Sequence, residues 1–280
     1  MAIRLVYGLK TDDNSYLDSF YPARRLKEAA KTLGLDYDAM VFGPNGDMQK
    51  AIAFCLGHTA ILRGELPAWL YKALEERAIK TINPFGAVSL ADDKLKSAAF
   101  FNRLGIAHPE TTVILADGAE LPLPMPFVCK PRFGRMGRGI VLVSSLDEWQ
   151  GFLASGLLKR EPYIAQKYIK ESHGKDLRFF FAKFDDSMVK AAKRQGQGLL
   201  SNTHQGGIMQ AFTAPDGLLK EATYIFKQSG LVYGTVDYLF GSKKEAAFYV
   251  CELNANPGFE SIENSLKIDA ARAILLSAWG

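Results

Sequence analysis

Cys251-Glu252-Leu253-Asn254-Ala255-Asn256-Pro257-Gly258 follows Asp237 by a span that fits a single β-hairpin. Gly234 to Phe240 and Ala247 to Asn254 are rich in Val, Tyr, Phe and Leu and read as strands, with Gly241-Ser242-Lys243-Lys244-Glu245 as the turn. Antiparallel pairing about Lys244/Glu245 sets Asp237 opposite Glu252. Side chains alternate with period two, so Glu252 and Asn254 share a face, and Thr235 lies opposite Asn254 on it. Two carboxylates and an amide converge.

Like charges directly across a strand pair destabilise it, so Asp237 facing Glu252 needs a counter-charge. A divalent cation supplies one, and an all-oxygen Asp/Glu/Asn set suits Mg²⁺ or Mn²⁺ rather than zinc. Mg²⁺ is commonly held by one or two carboxylates together with substrate phosphates, so phosphate-binding elements are the next thing to seek. The same residues also read as an ordinary hairpin whose acids are solvated or paired with lysines.

Such an element is Phe127 to Val143, where Lys130-Pro131-Arg132-Phe133-Gly134-Arg135-Met136-Gly137-Arg138-Gly139 joins two strand-like stretches. Gly134, Gly137 and Gly139 let backbone N–H groups approach a ligand closely, while Lys130, Arg132, Arg135 and Arg138 add positive charge with no acid among them. A strand follows the loop, which excludes a Walker A loop and a Rossmann turn. A plain glycine-rich hairpin or an RNA-facing basic loop fits the same residues. In Tyr163 to Phe181, an apolar strand passes through a polar turn into a second strand opening with Asp176 and Arg178, which alternation puts on one face. The plain reading there is a surface turn with an ion pair. Further on, Lys193-Arg194 precedes Ser201-Asn202-Thr203-His204-Gln205-Gly206-Gly207, whose glycines allow backbone amides near a substrate. A lone histidine such as His204 is more often structural than catalytic.

The 280 residues suffice for two or three small domains, and 48% apolar with 23% charged residues describes an ordinary globular chain. A net charge of +4 is too small to argue for nucleic acid. Cys55, Cys129 and Cys251 are few and far apart, which indicates neither a disulfide framework nor a cysteine zinc site and makes a reducing cytoplasm the simplest expected location. The start, Met1 to Tyr7, reads as a strand rather than a signal peptide, and no apolar run approaches the roughly 20 residues of a membrane span. Ile3 to Tyr7, a helix from Tyr21 to about Leu33, a strand from Tyr37 to Phe42 and a helix from Trp69 to Ala78 alternate as in α/β folds. Asn83-Pro84-Phe85-Gly86 breaks this pattern, and a helix is expected from Ala91 through Asp92, Asp93, Lys94 and Lys96 to about Leu104.

In order and spacing these features resemble the ATP-grasp superfamily, and within it the carboxylate–amine ligases similar to the ribosomal protein S6 modification enzyme (RimK-type). The resemblance rests on Lys94 in Asp93-Lys94-Leu95-Lys96-Ser97, Lys130 with its glycine loop, Gln166-Lys167-Tyr168-Ile169-Lys170-Glu171, and Gly174-Lys175-Asp176-Leu177-Arg178. It rests equally on Ser201 to Gly207 and on Asp237 with Glu252 to Gly258. It covers roughly residues 83 to 264. It implies an α/β and α+β chain with the ATP-grasp fold, in which two α+β subdomains sandwich ATP after a small α/β domain: residues 1–86, then 87–162 with the glycine loop, then 163–280 with the metal site.

The site residues are implied by the same resemblance. Lys94, Lys130, Gly134, Gly137 and Gly139 would contact or cover the nucleotide, Gln166, Lys167, Tyr168 and Ile169 would read adenine, and Asp176 would lie near the ribose. Arg194 and Asn202 would lie near the γ-phosphate, and Asp237, Glu252 and Asn254 would hold two Mg²⁺ or Mn²⁺ ions. The implied reaction phosphorylates a carboxylate from ATP and lets an amine, such as an amino acid or peptide, displace phosphate. Arg178 and Arg194 would stabilise the transferred group, and His204 is a candidate base on position alone. The partners expected are therefore ATP, an acid and an amine, with no nucleic acid or membrane, and self-association is left open. A catalytically inactive ATP-binding regulatory module is the alternative. Family members often carry a basic residue where this chain has Gln205, which weakens the case for an anionic amino acid as substrate.

Overall fold

The computed structural model of the chain describes residues 2–115, 120–134, 137–183, 189–196, 198–199, 201, 207–244 and 246–279. Its first lobe runs β1 (Ile3–Gly8), α1 (Tyr21–Thr32), β2 (Tyr37–Phe42), α2 (Met48–Cys55), β3 (Thr59–Gly64), α3 (Ala68–Glu75) and β4 (Thr81–Ile82). The strands form a parallel sheet ordered β2-β1-β3-β4. Pro22 in the first turn of α1 suits a position whose N–H has no intrahelical acceptor, and Ala23, Leu26, Ala29 and Ala30 form the buried stripe. The side chain of Asp47 caps α2 by accepting from Gln49 N and Lys50 N.

Two helices follow, α4 (Phe85–Asp92) and α5 (Lys94–Arg103). The single helix expected from Ala91 is thus broken at Asp93, whose backbone turns extended (φ −101°, ψ 102°). Its carboxylate accepts from Leu95 N at 3.1 Å and Lys96 N at 3.3 Å, a cap that starts a new helix. The stretch from Asn83 to Gly86 is not a plain break, because α4 begins inside it.

A second, antiparallel sheet contains β5 (Thr111–Val113), β6 (Phe127–Pro131), β7 (Val141–Val143) and, after α6 (Leu146–Ala154), β8 (Tyr163–Lys167), in the order β5-β8-β6-β7. It has its own core around Phe127, Trp149, Phe152 and Tyr163. The third sheet holds β9 (Lys175–Ala182), β10 (Lys190–Gln195) and β11 (Ile208–Phe212), then, past α7 (Asp216–Ser229), β12 (Tyr233–Phe240) and β13 (Phe248–Asn254). Its order is β11-β10-β9-β12-β13. The chain closes with α8 (Glu260–Leu266) and α9 (Ala270–Trp279).

The first and third sheets share their cores. One cluster joins Val6, Leu62 and Leu74 to Phe179, Phe181 and Tyr238, and another joins Leu26 and Ile61 to Phe180, Tyr233 and Ile274. Helices α4 and α5 contribute Ala87, Val88, Ala91, Phe100 and Phe101 to the first of these and pack on β13, so the chain after residue 86 enters the third layer before it builds the second. Arg63 ties the same lobes together: it is buried, donates to the Tyr233 hydroxyl at 2.8 Å and to Pro257 O at 2.7 Å, and lies against the Phe259 ring. Among the described residues no helix is long and apolar enough to cross a membrane.

Candidate active site

The expected hairpin forms. Asp237 pairs with Glu252 and Thr235 with Asn254, although the pairing nearer the turn is shifted by one residue, with Tyr238 opposite Val250. Cys251 is the extra residue of this bulge. On the other side of β12, Asp237 pairs with Arg178 of β9, so a row across the sheet reads Arg178, Asp237, Glu252. The counter-charge that the two acids require therefore comes from the sheet itself. Arg178 Nε donates to Asp237 Oδ1 at 2.9 Å and Arg178 Nη2 donates to Oδ2 at 2.5 Å. Arg194 of β10, opposite Asp176, donates to both Asp176 oxygens at 2.6 Å and to Asp237 Oδ2 at 3.1 Å. Ser201 Oγ adds a donor to Asp176 Oδ2.

Two acids and two arginines thus form a closed buried network. Burial works against the Asp237 charge, yet Arg178 and Arg194 hold its carboxyl below the usual 3.8. Burial also opposes the charge on Arg194, but Asp176 and Asp237 outweigh it and raise its pKa.

Facing this row across a cavity of about 840 Å³ is the second sheet with its glycine loop. Lys130, on β6, donates to Gln166 Oε1 at 2.7 Å, and Lys94, at the start of α5, donates to Gly134 O at 2.5 Å. Burial lowers the Lys130 pKa below its usual 10.5, Cys251 and Glu252 pull it back, and Lys94 lowers it further. Arg132 is not free for a ligand: Asp93 holds it bidentately at 2.7 and 2.8 Å, and in turn Arg132 helps keep the Asp93 carboxyl ionised against burial. Arg138 does line the cavity.

The cavity gathers most of the residues marked from sequence. Lys94, Lys130, Gly134 and Gly137 line one side, the Gln166–Ile169 segment the end between the sheets, and Asp176, Arg178, Arg194, Glu252 and Asn254 the other. Two of the marked residues stand apart. Asp237 lies behind the wall at 1% exposure, and Gly139 is a packing residue: with φ +71°, an added Cβ would sit 2.6 Å from Tyr163 Oη. Asn202, His204 and Arg135 lie outside the described residues. Sequence reasoning missed the wall under the first sheet, formed by Tyr7, Tyr16, Arg63 and Glu65, and also Cys251, which the bulge turns toward the cavity. Gly8 and Gly64, at the carboxyl ends of two parallel strands, were the available signal for that wall.

Glu252 and Asn254 present oxygen donors to the cavity, a chemistry that fits a hard divalent cation. Among the described residues no three His, Cys, Asp or Glu side chains are grouped so as to hold a metal ion, so a cation at this wall would complete its shell with oxygens from outside the protein. What the arrangement offers is a buried acid–arginine row on one side and two lysines with a glycine loop on the other, suited to a polyphosphate.

Two α+β layers enclosing such a cavity define the ATP-grasp fold, and the solved D-alanine–D-alanine ligase of Bacillus anthracis complexed with ATP superposes with a TM-score of 0.72 at 17% identity, over 100% of this chain and 96% of that one. A family model described as RimK-like ATP-grasp domain matches residues 91–278. The chain belongs to that family. Among curated relatives, a probable alpha-L-glutamate ligase of Rhodopirellula baltica is 28% identical over 211 residues, covering 73% of this chain and 51% of the relative, so the match spans about half of that longer protein. Probable alpha-L-glutamate ligase 2 of Shewanella amazonensis is 28% identical over 284 residues, 93% of this chain and 92% of its own length.

Proposed function

We propose that the chain is an ATP-dependent carboxylate–amine ligase that forms an amide through an acylphosphate and releases ADP and phosphate. The observation that carries this reading is the cavity that sets Lys94, Lys130 and the glycine loop against the row of Arg178, Asp237 and Glu252. In it Lys94, Lys130 and the loop amides hold the triphosphate, and the Gln166–Ile169 backbone faces adenine. Arg178 and Arg194 keep positive charge beside the transferred phosphoryl group, where negative charge accumulates on oxygen. Glu252 and Asn254, with Asp237 behind them, would hold Mg²⁺ or Mn²⁺. Such a cation neutralises phosphate oxygens when bound. The names of the relatives make α-L-glutamate one candidate amine.

The test is ADP release from ATP across a panel of acids and amines with Mg²⁺ or Mn²⁺, in the wild type and in Glu252→Gln. ADP formed only with a particular acid and amine, and lost in Glu252→Gln, supports the reading. ATP binding without turnover on any pair would make the chain a regulatory module, and full activity of Glu252→Gln would remove this wall from the chemistry.

A further inference from the structure

The end of the cavity beneath the first sheet has a chemistry of its own, in which aromatic rings and close-packed backbone stand beside Lys10, Glu65 and Glu260. Its floor is backbone: Gly64, at φ +78°, approaches Gly8 so closely that an added Cβ would lie 2.2 Å from Gly8 O, and a Cβ on Gly8 would lie 2.3 Å from Glu65 O. These are the carboxyl ends of β1 and β3, where open parallel sheets place their ligands. Around the floor stand aromatic rings. Tyr7 and Phe20 lie 5.8 Å apart between centroids, Phe259 is fully buried at the back, and Tyr16 is 51% exposed although it forms part of the cavity wall. Two exposed carboxylates, Glu65 and Glu260, sit at the rim of the same chamber. Arg63, buried beneath it, spends Nη1 and Nη2 on the Tyr233 hydroxyl and Pro257 O.

We propose that this chamber binds the carboxylic substrate, and that this substrate is a free α-amino acid with an aromatic or large apolar side chain. The inference rests on the ligase reading and names the acid that the reading leaves open. The side chain lies among Tyr7, Tyr16 and Phe20, the α-ammonium faces Glu65 or Glu260, and the carboxylate points along the cavity toward Arg178 and Asn254. Four rings suit such a side chain and disfavour a second carboxylate, which would lose its hydration without a dedicated partner. In the reaction a carboxylate oxygen attacks the γ-phosphorus, the bond from that phosphorus to the bridging oxygen of ADP breaks, and the acylphosphate forms.

Hydroxylamine as the only added amine isolates this half of the specificity. Its nitrogen attacks the acyl carbon, phosphate leaves, the nitrogen's proton passes to solvent, and a hydroxamate accumulates. With ATP and Mg²⁺, phenylalanine and leucine are expected to give hydroxamate and ADP with kcat/KM at least about ten-fold above glutamate or glycine, the scale at which side-chain pockets discriminate. Tyr16→Ala should lose roughly ten-fold for phenylalanine through KM while the KM for ATP stays unchanged. Glu65→Gln together with Glu260→Gln should raise KM for phenylalanine but not for N-acetylphenylalanine. A preference for glutamate, or equal rates for all acids with Tyr16→Ala silent, overturns this proposal and leaves the ligase intact. No ADP or hydroxamate from any acid, in a protein that binds ATP, overturns both.

Discussion

Replacing Asp237 by Asn keeps the shape of the side chain but takes one negative charge from a buried set of two acids and two arginines, leaving one guanidinium uncompensated. Asp237 is 1% exposed and Arg194 6%, so solvent cannot make up the loss. Breaking a buried pair by removing one partner costs about 3–5 kcal/mol, a large share of a total stability of roughly 5–15 kcal/mol. Arg178→Met should cost a comparable amount by stranding the opposite charge. Combining the two restores neutrality around Asp176 and Arg194, so the double variant should be less destabilised than the sum of the singles by about 2–3 kcal/mol. Equilibrium urea unfolding of the wild type, both singles and the double at neutral pH measures this directly. Additive losses would refute the network as the source of stability. The pH dependence has a definite sign: because the folded Asp237 carboxyl lies below its usual 3.8, its contribution is complete above that value and disappears as pH falls through the lowered folded value. The gap between the wild type and Asp237→Asn should therefore persist through mild acid and close only below the usual carboxylate range.

Two further outcomes are expected. Lys130 has a pKa below 10.5, so ATP affinity measured by calorimetry should begin to fall at an alkaline pH lower than that of an ordinary lysine, and Lys130→Arg should move the fall upward; an affinity flat up to the usual lysine range would contradict the assignment. Gly139→Ala places a Cβ 2.6 Å from Tyr163 Oη at a φ of +71°, and thermal denaturation should show a loss of more than about 1 kcal/mol. An unchanged melting temperature would mean that the loop relaxes freely.

Much of the site was readable because it lies on strands, where a period of two converts spacing into facing. Asp237, Glu252 and Asn254 were assigned to one face on that ground, and the pairings bear it out. The slip at Cys251 was not readable, since the turn Gly241 to Glu245 has no residue pair that dictates a single hairpin register. Nor was the source of the counter-charge. Arg178 meets Asp237, and Arg194 meets Asp176, only through pairing between strands far apart in the chain, which no local pattern encodes. In the first lobe the alternation shows the α/β class, while the sequence pattern does not mark α2, β3 or β4, and the Asn83 to Gly86 stretch masks the start of α4. Asp93 carries signals of two kinds, a helix-like neighbourhood and a capping side chain, and the cap prevailed.

The packing of α9 against α1 has a consequence for biosynthesis. Leu26, Ala29 and Ala30 leave the ribosome about 240 residues ahead of Ala271, Ile274 and Leu275, which share their core, some 12–50 s at ordinary elongation rates of about 5–20 residues per second. Until then the stripe on α1 is covered from the first sheet alone, by Ile3, Leu5, Val41 and Ile61, and the cover that α9 adds is missing. The second sheet, with a core of its own, meets no such delay. The first lobe therefore receives the last part of its core after the second sheet is complete, although most of its residues are made before it.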